Sequence, residues 1–115
     1  MKASEFKKIT KQYGFELNPL LESMGDYRIH IDNIYTNEMC LAICSSYGVE
    51  IYNPIFYRDI NRIETEQISK VVKTKEEFID WLDEVTERIR IYKRIIKINQ
   101  KLNQIKSIAD GETFD

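Results

Sequence analysis

The residues best suited to chemistry begin with three polar side chains near position 30. Arg28, His30 and Asp32 alternate along a predicted strand, so they share one face with about 7 Å between successive members. A histidine beside a carboxylate can act as a general base, and an arginine can bind an anion. Because this spacing is too wide for direct hydrogen bonds along one strand, we expect an exposed polar face and no catalytic group.

The two cysteines, Cys40 and Cys44, lie in the most apolar run of the chain, residues 39–44. Along a strand they would be about 13 Å apart, whereas disulfide-bonded Cα atoms lie within about 7 Å. We expect two buried, inert free thiols and therefore a reducing, cytoplasmic setting. Two cysteines and one histidine are too few for a structural zinc site with four such ligands, and no metal or cofactor is expected.

Composition limits the class of protein. The chain has 115 residues, is 43% hydrophobic and 31% charged, and has a net charge of -2, which predicts a single globular domain over residues 1–115. The charge balance argues against a globally basic nucleic-acid binder. No apolar segment approaches the length needed to span a membrane, and the N-terminal residues lack the apolar core of a secretory signal.

The elements that must position these residues follow from periodicity. A helix is predicted over 5–13, capped by Ser4 and ended by Gly14, and a shorter helix begins after Asn18. Alternating or apolar runs then predict strands at 27–32, 39–45 (central), 49–52, 55–57 and 68–72, with 59–66 either strand or loop. The expected fold class is α+β, with short N-terminal helices, a small antiparallel sheet of three to five strands and one long C-terminal helix.

That long helix is predicted over about 75–109. Thr74 and Glu77 form a capping-box pattern, and no Gly or Pro follows until Gly111. A helix of this length measures about 52 Å, whereas a compact domain of this size is about 34 Å across. The helix therefore either projects beyond the domain or breaks near 86–90.

Two apolar stripes run along this helix. The first stripe is predicted to cover the sheet, with Trp81 well buried, and consists of Phe78, Trp81, Leu82, Val85, Ile89, Tyr92 and Ile96. The second stripe lies about 130° away, has the 4-3-4-3-4 spacing of a coiled-coil seam, and consists of Ile91, Ile95, Ile98, Leu102, Ile105 and Ala109. Three occupants of the second stripe remain open: the chain's own helix at 5–13, a second copy in a homodimer, or a foreign partner.

Charge divides along the same helix. Residues 76–87 include no base and present an acidic face of Glu76, Asp80, Asp83 and Glu87. The second half, 88–106, has no acid and includes Arg90, Arg94 and Lys97. Helix-dipole complementarity acts only within the terminal turns, so it does not account for runs this long. We therefore count both charged runs, with the second stripe, among the candidate partner-binding residues.

The leading hypothesis is a non-enzymatic protein-binding module. In size and style the chain resembles accessory proteins of phages and mobile elements, which often inhibit a host or defence enzyme by occupying its surface. The alternative is a nucleic-acid-binding accessory protein that uses the basic half of the long helix and a sheet rich in tyrosine, with five tyrosines between positions 27 and 57.

Overall fold

A computed structural model gives the fold, and it describes the backbone of residues 1–112 and the side chains of residues 1–108. Over residues 1–112, two helices precede six strands and a final long helix, which confirms the predicted α+β class. In chain order the elements are α1 (Ala3–Gln12), α2 (Pro19–Ser23), β1 (Tyr27–His30), β2 (Cys40–Ser45), β3 (Gly48–Ile51), β4 (Pro54–Tyr57), β5 (Arg62–Thr65), β6 (Lys70–Val72) and α3 (Lys75–Glu112).

The strands form two antiparallel sheets. The larger has the order β1-β2-β3-β6, and β4 and β5 form a separate two-stranded hairpin. β2 is an interior strand, as its apolar run predicted. The ambiguous segment 59–66 contains β5, and the last strand begins at Lys70, two residues later than predicted.

The predicted capping residue is correct for one of the two N-terminal helices. Asn18 caps α2 as predicted, because its Oδ1 accepts from the backbone N–H of Leu20 at 3.0 Å. Ser4 was wrongly assigned as the cap of α1, since this helix already begins at Ala3 and Lys2 precedes it without a side-chain cap. Gly14 follows α1 with φ +86°, a left-handed conformation suited to glycine.

The core lies between the four-stranded sheet and helices α1 and α3. Phe6 from α1 stacks on Phe78 from α3 with 5.5 Å between ring centroids, and both side chains are fully buried. Most of the first stripe is buried, as predicted: Phe78, Leu82, Val85, Ile89 and Tyr92. The prediction that Trp81 is well buried holds only in part: the side chain packs against the core and stacks on Phe78, but it is only partly buried. Its indole N–H donates to Asn53 Oδ1 at 2.8 Å.

Helix α3 is continuous over 38 residues, so it does not break near 86–90. Its start confirms the capping pattern, since the Glu77 N–H donates to Thr74 Oγ1 at 3.1 Å. At 1.5 Å per residue it is about 57 Å long. The molecule measures 64 × 27 × 25 Å, so α3 spans nearly all of its long dimension. Within the described residues, no helix is both long enough and apolar enough to cross a membrane.

Candidate protein interface

The second stripe of α3 is exposed to solvent. The exposed fraction is 44% at Ile91, 37% at Ile95 and 48% at Ile98, and it rises to 58% at Leu102 and 63% at Ile105. The side chain of Ala109, the last predicted member, lies outside the described residues. Contiguous apolar surface of this kind on a soluble protein commonly marks an interaction site.

The chain's own N-terminal helix does not cover the second stripe. Helix α1 lies against the first half of α3, where Phe6 stacks on Phe78 and the Tyr13 hydroxyl donates to Asp83 Oδ1 at 2.5 Å. These contacts are at least two helical turns before Ile91. The first of the three predicted occupants is therefore wrong, and the other two remain.

The β4–β5 hairpin fixes the segment of α3 from which the second stripe starts. The Tyr92 hydroxyl donates to the backbone carbonyls of Tyr57 and Arg62, the latter at 3.1 Å, and its ring lies 4.9 Å from that of Phe56. Lys93 forms an ion pair with Asp32 from the loop after β1. The stripe therefore begins where the helix is held on two sides by tertiary contacts.

A shallow groove separates the hairpin from the second stripe. Its volume is about 190 Å³, and Arg58, Arg88 and Phe56 line it beside Ile91 and Ile95. The Arg88 guanidinium lies over the Phe56 ring, 5.4 Å from its centroid. Two arginines and no carboxylate line this groove, so its field favours anionic groups.

The opposite border of the second stripe is a basic row at 4-3-4 spacing: Arg90, Arg94, Lys97 and Lys101. Arg90 is bound to Glu87 one turn earlier, with Nε to Oε2 at 2.8 Å, and this contact lowers the pKa of the Glu87 carboxyl. Among the described side chains, Arg94, Lys97 and Lys101 have no ion-pair partner. Lys101 was absent from the predicted site residues, although its spacing places it in this row.

The acidic face of α3 is exposed but partly engaged. Glu76 and Asp80 are exposed to solvent. Asp83 accepts the Tyr13 hydroxyl, and that hydrogen bond raises the pKa of the tyrosine. Because Glu87 pairs with Arg90, the carboxylates most available to a partner are those in the first turns of the helix.

The structure separates Arg28, His30 and Asp32. Strand β1 ends at His30, and a tight turn over residues 31–33 follows in which Asp32 has φ +54°. Arg28 binds Asp26 at 2.8 Å, and Asp32 pairs with Lys93. The prediction that His30 lies on an exposed face is wrong: a register shift between Ile29 and His30 interrupts the alternation, and the imidazole is only 3% exposed.

Both cysteines are free, as predicted. Cys40 is buried, whereas Cys44 is only half-buried, so the expectation of two fully buried thiols holds for one of them. Burial raises the pKa of both thiols, which disfavours the reactive thiolate. Within the described part of the chain, no cluster of three or more His, Cys, Asp or Glu side chains has the arrangement of a metal site.

A cavity of about 360 Å³ lies between β1 and β2 on one side and β5 on the other, and its wall includes Arg28, Cys40, Tyr52, Glu64 and Glu66. The five tyrosines between 27 and 57 do not form one stacking surface. Tyr35 lies edge-on against His30 in a loop, Tyr47 is 86% exposed in the β2–β3 turn, and the others occupy β1, the end of β3 and the hairpin. The exposed stripe of α3 is therefore the surface feature with the clearest organisation.

Comparisons with protein-family models, curated proteins and solved structures gave no significant match, so the functional argument rests on the chain itself.

Proposed function

We propose that this chain is a non-enzymatic protein-binding module that acts in the cytoplasm by covering a partner's surface with the second stripe of α3. The observation that carries the proposal is the exposure of five aliphatic side chains, from Ile91 to Ile105, at coiled-coil spacing on one helix. Spacing of this kind matches the surface of another helix. Full burial of one such side chain contributes about 1.5–3 kcal/mol, so covering several half-exposed ones would favour association.

Inhibition is the mode of action that we propose for this binding. A small module that covers an enzyme's surface blocks access to it without chemistry of its own. The resemblance in size and composition to phage and mobile-element accessory proteins supports a host or defence enzyme as the partner. This part of the proposal rests on that analogy, and the binding surface rests on the geometry of α3.

The experiment is to capture partners from a bacterial lysate with the intact chain and with Ile98→Asp/Leu102→Asp. Because both side chains are about half-exposed, the variant should remain folded, and circular dichroism checks this. A control, Leu20→Asp/Ile68→Asp, places the same charges at apolar side chains that are 70% and 84% exposed and lie outside α3. Loss of a stoichiometric partner in the first variant alone supports the proposal, and retention of that partner contradicts it.

Nucleic-acid binding is the second candidate. Arg94, Lys97 and Lys101, which form no ion pair with the described side chains, favour it. Phosphate contacts release counterions, so such binding would weaken steeply with salt. Charge reversal at Arg90, Arg94 and Lys97 would then abolish it. No binding to DNA or RNA at about 50 mM salt, where phosphate contacts are strong, would exclude this candidate.

A further inference from the structure

We propose that the occupant of the second stripe is an amphipathic helix of another protein whose apolar seam is bordered by carboxylates. This inference rests on the proposed function and specifies the chemistry of the partner. The stripe from Ile91 to Ile105 spans 15 residues, or about 21 Å of helix. Its aliphatic seam would therefore pack against about four turns of a partner helix.

Charge on both borders of the second stripe selects an acidic partner. The basic row lies on one side, and Arg58 and Arg88 line the groove on the other. Residues 88–108 contain seven bases and no acid: Arg88, Arg90, Lys93, Arg94, Lys97, Lys101 and Lys106. In coiled-coil pairs, the residues that border the seam choose the partner through charge, so carboxylates on a partner would meet cations from both sides.

A second copy of this chain fits the surface poorly in either antiparallel alignment. With the two-fold axis near Ile98, the second stripes pack on each other, but the basic rows also face each other and repel. With the axis near Ile89, the basic row meets the acidic face. The aliphatic residues Ile95, Ile98 and Leu102 then lie opposite the acidic residues Asp83, Asp80 and Glu76. Neither antiparallel alignment satisfies both the apolar side chains and the charges.

An anionic membrane or a nucleic acid also fits less well than a helix. At 100° per residue, the acidic face of α3 lies within about 50° of the second stripe around the same helix. Because α3 is continuous, an extended anionic surface laid along the stripe would also approach Glu76 and Asp80, which are exposed. A short protein helix can end before these carboxylates or carry bases opposite them.

The test uses synthetic 21-residue helical peptides with Ile and Leu at the seam positions. One peptide has Glu at all flanking positions, and its matched control has Lys there. Like charges then keep copies of either peptide from pairing with each other. Anisotropy measures binding of labelled peptide to the full chain at low and high salt. We expect the Glu peptide to bind at least 10-fold more tightly than the Lys peptide, and to weaken as salt rises.

Two variants assign the binding to this surface. Arg94→Glu/Lys97→Glu/Lys101→Glu should reverse the preference toward the Lys peptide, because these exposed side chains make no ion pair with the described residues. Ile98→Asp/Leu102→Asp should abolish binding of the Glu peptide, while Leu20→Asp/Ile68→Asp should leave it unchanged.

Several outcomes would overturn the inference. They are failure of the Glu peptide to bind, equal binding of both peptides, or tighter association with vesicles containing phosphatidylserine, with duplex DNA or with a second copy. If a captured natural partner is lost with Ile98→Asp/Leu102→Asp but retained by the charge-reversed variant, the protein-binding function stands and the acidic-helix inference fails.

Discussion

His30 is a buried imidazole whose surroundings favour the neutral form. Its Nδ1 has no hydrogen-bond partner among the described residues, and its ring lies edge-on against Tyr35 at 5.3 Å. Burial, followed by the nearby positive charge of Arg28, lowers its pKa below the ordinary value of 6.5, and Asp26 opposes this only in part. The residue is therefore better described as part of the packing than as a general base.

This environment predicts a pH dependence of stability. Because the folded state resists protonation, the unfolded state binds the proton more readily once the pH falls below 6.5. The free energy of unfolding should therefore fall by up to about 1.4 kcal/mol per pH unit as the pH drops below 6.5, until the folded imidazole also titrates. Urea titrations at several pH values between 7.5 and 5.5 measure it.

The assignment to one residue is clean because the chain contains one histidine. In His30→Asn, the free energy of unfolding should change little with pH between 7.5 and 5.5. This holds even if the substitution alters the free energy of unfolding at pH 7.5. If the free energy of unfolding of this variant still falls with pH, then carboxylates or another group cause the dependence.

At the scale of elements, the sequence predicts the start of a helix where the capping contacts are between near neighbours in the chain. Thr74 and Glu77 marked the start of α3, and Asn18 marked the start of α2, because each cap is completed within three or four residues. The end of β1 could not be predicted in this way. The bulge at Ile29/His30 and the pairing of Asp32 with Lys93, 61 residues away, depend on how distant elements meet.

The same reasoning explains the candidate interface. The sequence predicts the spacing of the second stripe and the charge of the basic half, because both repeat with the helical period. The groove was not, because it requires the hairpin to pack beside α3 through Phe56 and Tyr92. Arg58, which lines that groove, carries no sequence signal that connects it with the helix.

A Leu→Ala substitution should affect stability differently in the two halves of α3. Leu82 is fully buried, so Leu82→Ala should cost about 2–5 kcal/mol in the free energy of unfolding. Leu102 is 58% exposed, so Leu102→Ala should change stability by less than about 0.5 kcal/mol. Chemical denaturation of the two variants compares them directly. A large loss with Leu102→Ala would mean that the second stripe packs within the folded chain or its oligomer.

At the scale of the whole molecule, one helix dominates the shape. The Cα radius of gyration is 18.0 Å, whereas a compact domain of this length has about 13 Å. The elongation comes from α3, which extends well past the four-stranded sheet that buries its first half. A molecule of this form presents the second half of α3 away from its core, so we expect substitutions in the second stripe to leave the fold intact.

The shape and the charge argument together predict an elongated monomer in dilute solution. Small-angle scattering should give a radius of gyration near 18.0 Å that does not change with protein concentration, and sedimentation should give the mass of one chain. The basic rows would face each other if two second stripes paired, so low salt strengthens the repulsion that opposes self-association. A mass that doubles at low salt, and reverts to one chain with Ile98→Asp/Leu102→Asp, would instead establish the second copy as the occupant of the second stripe.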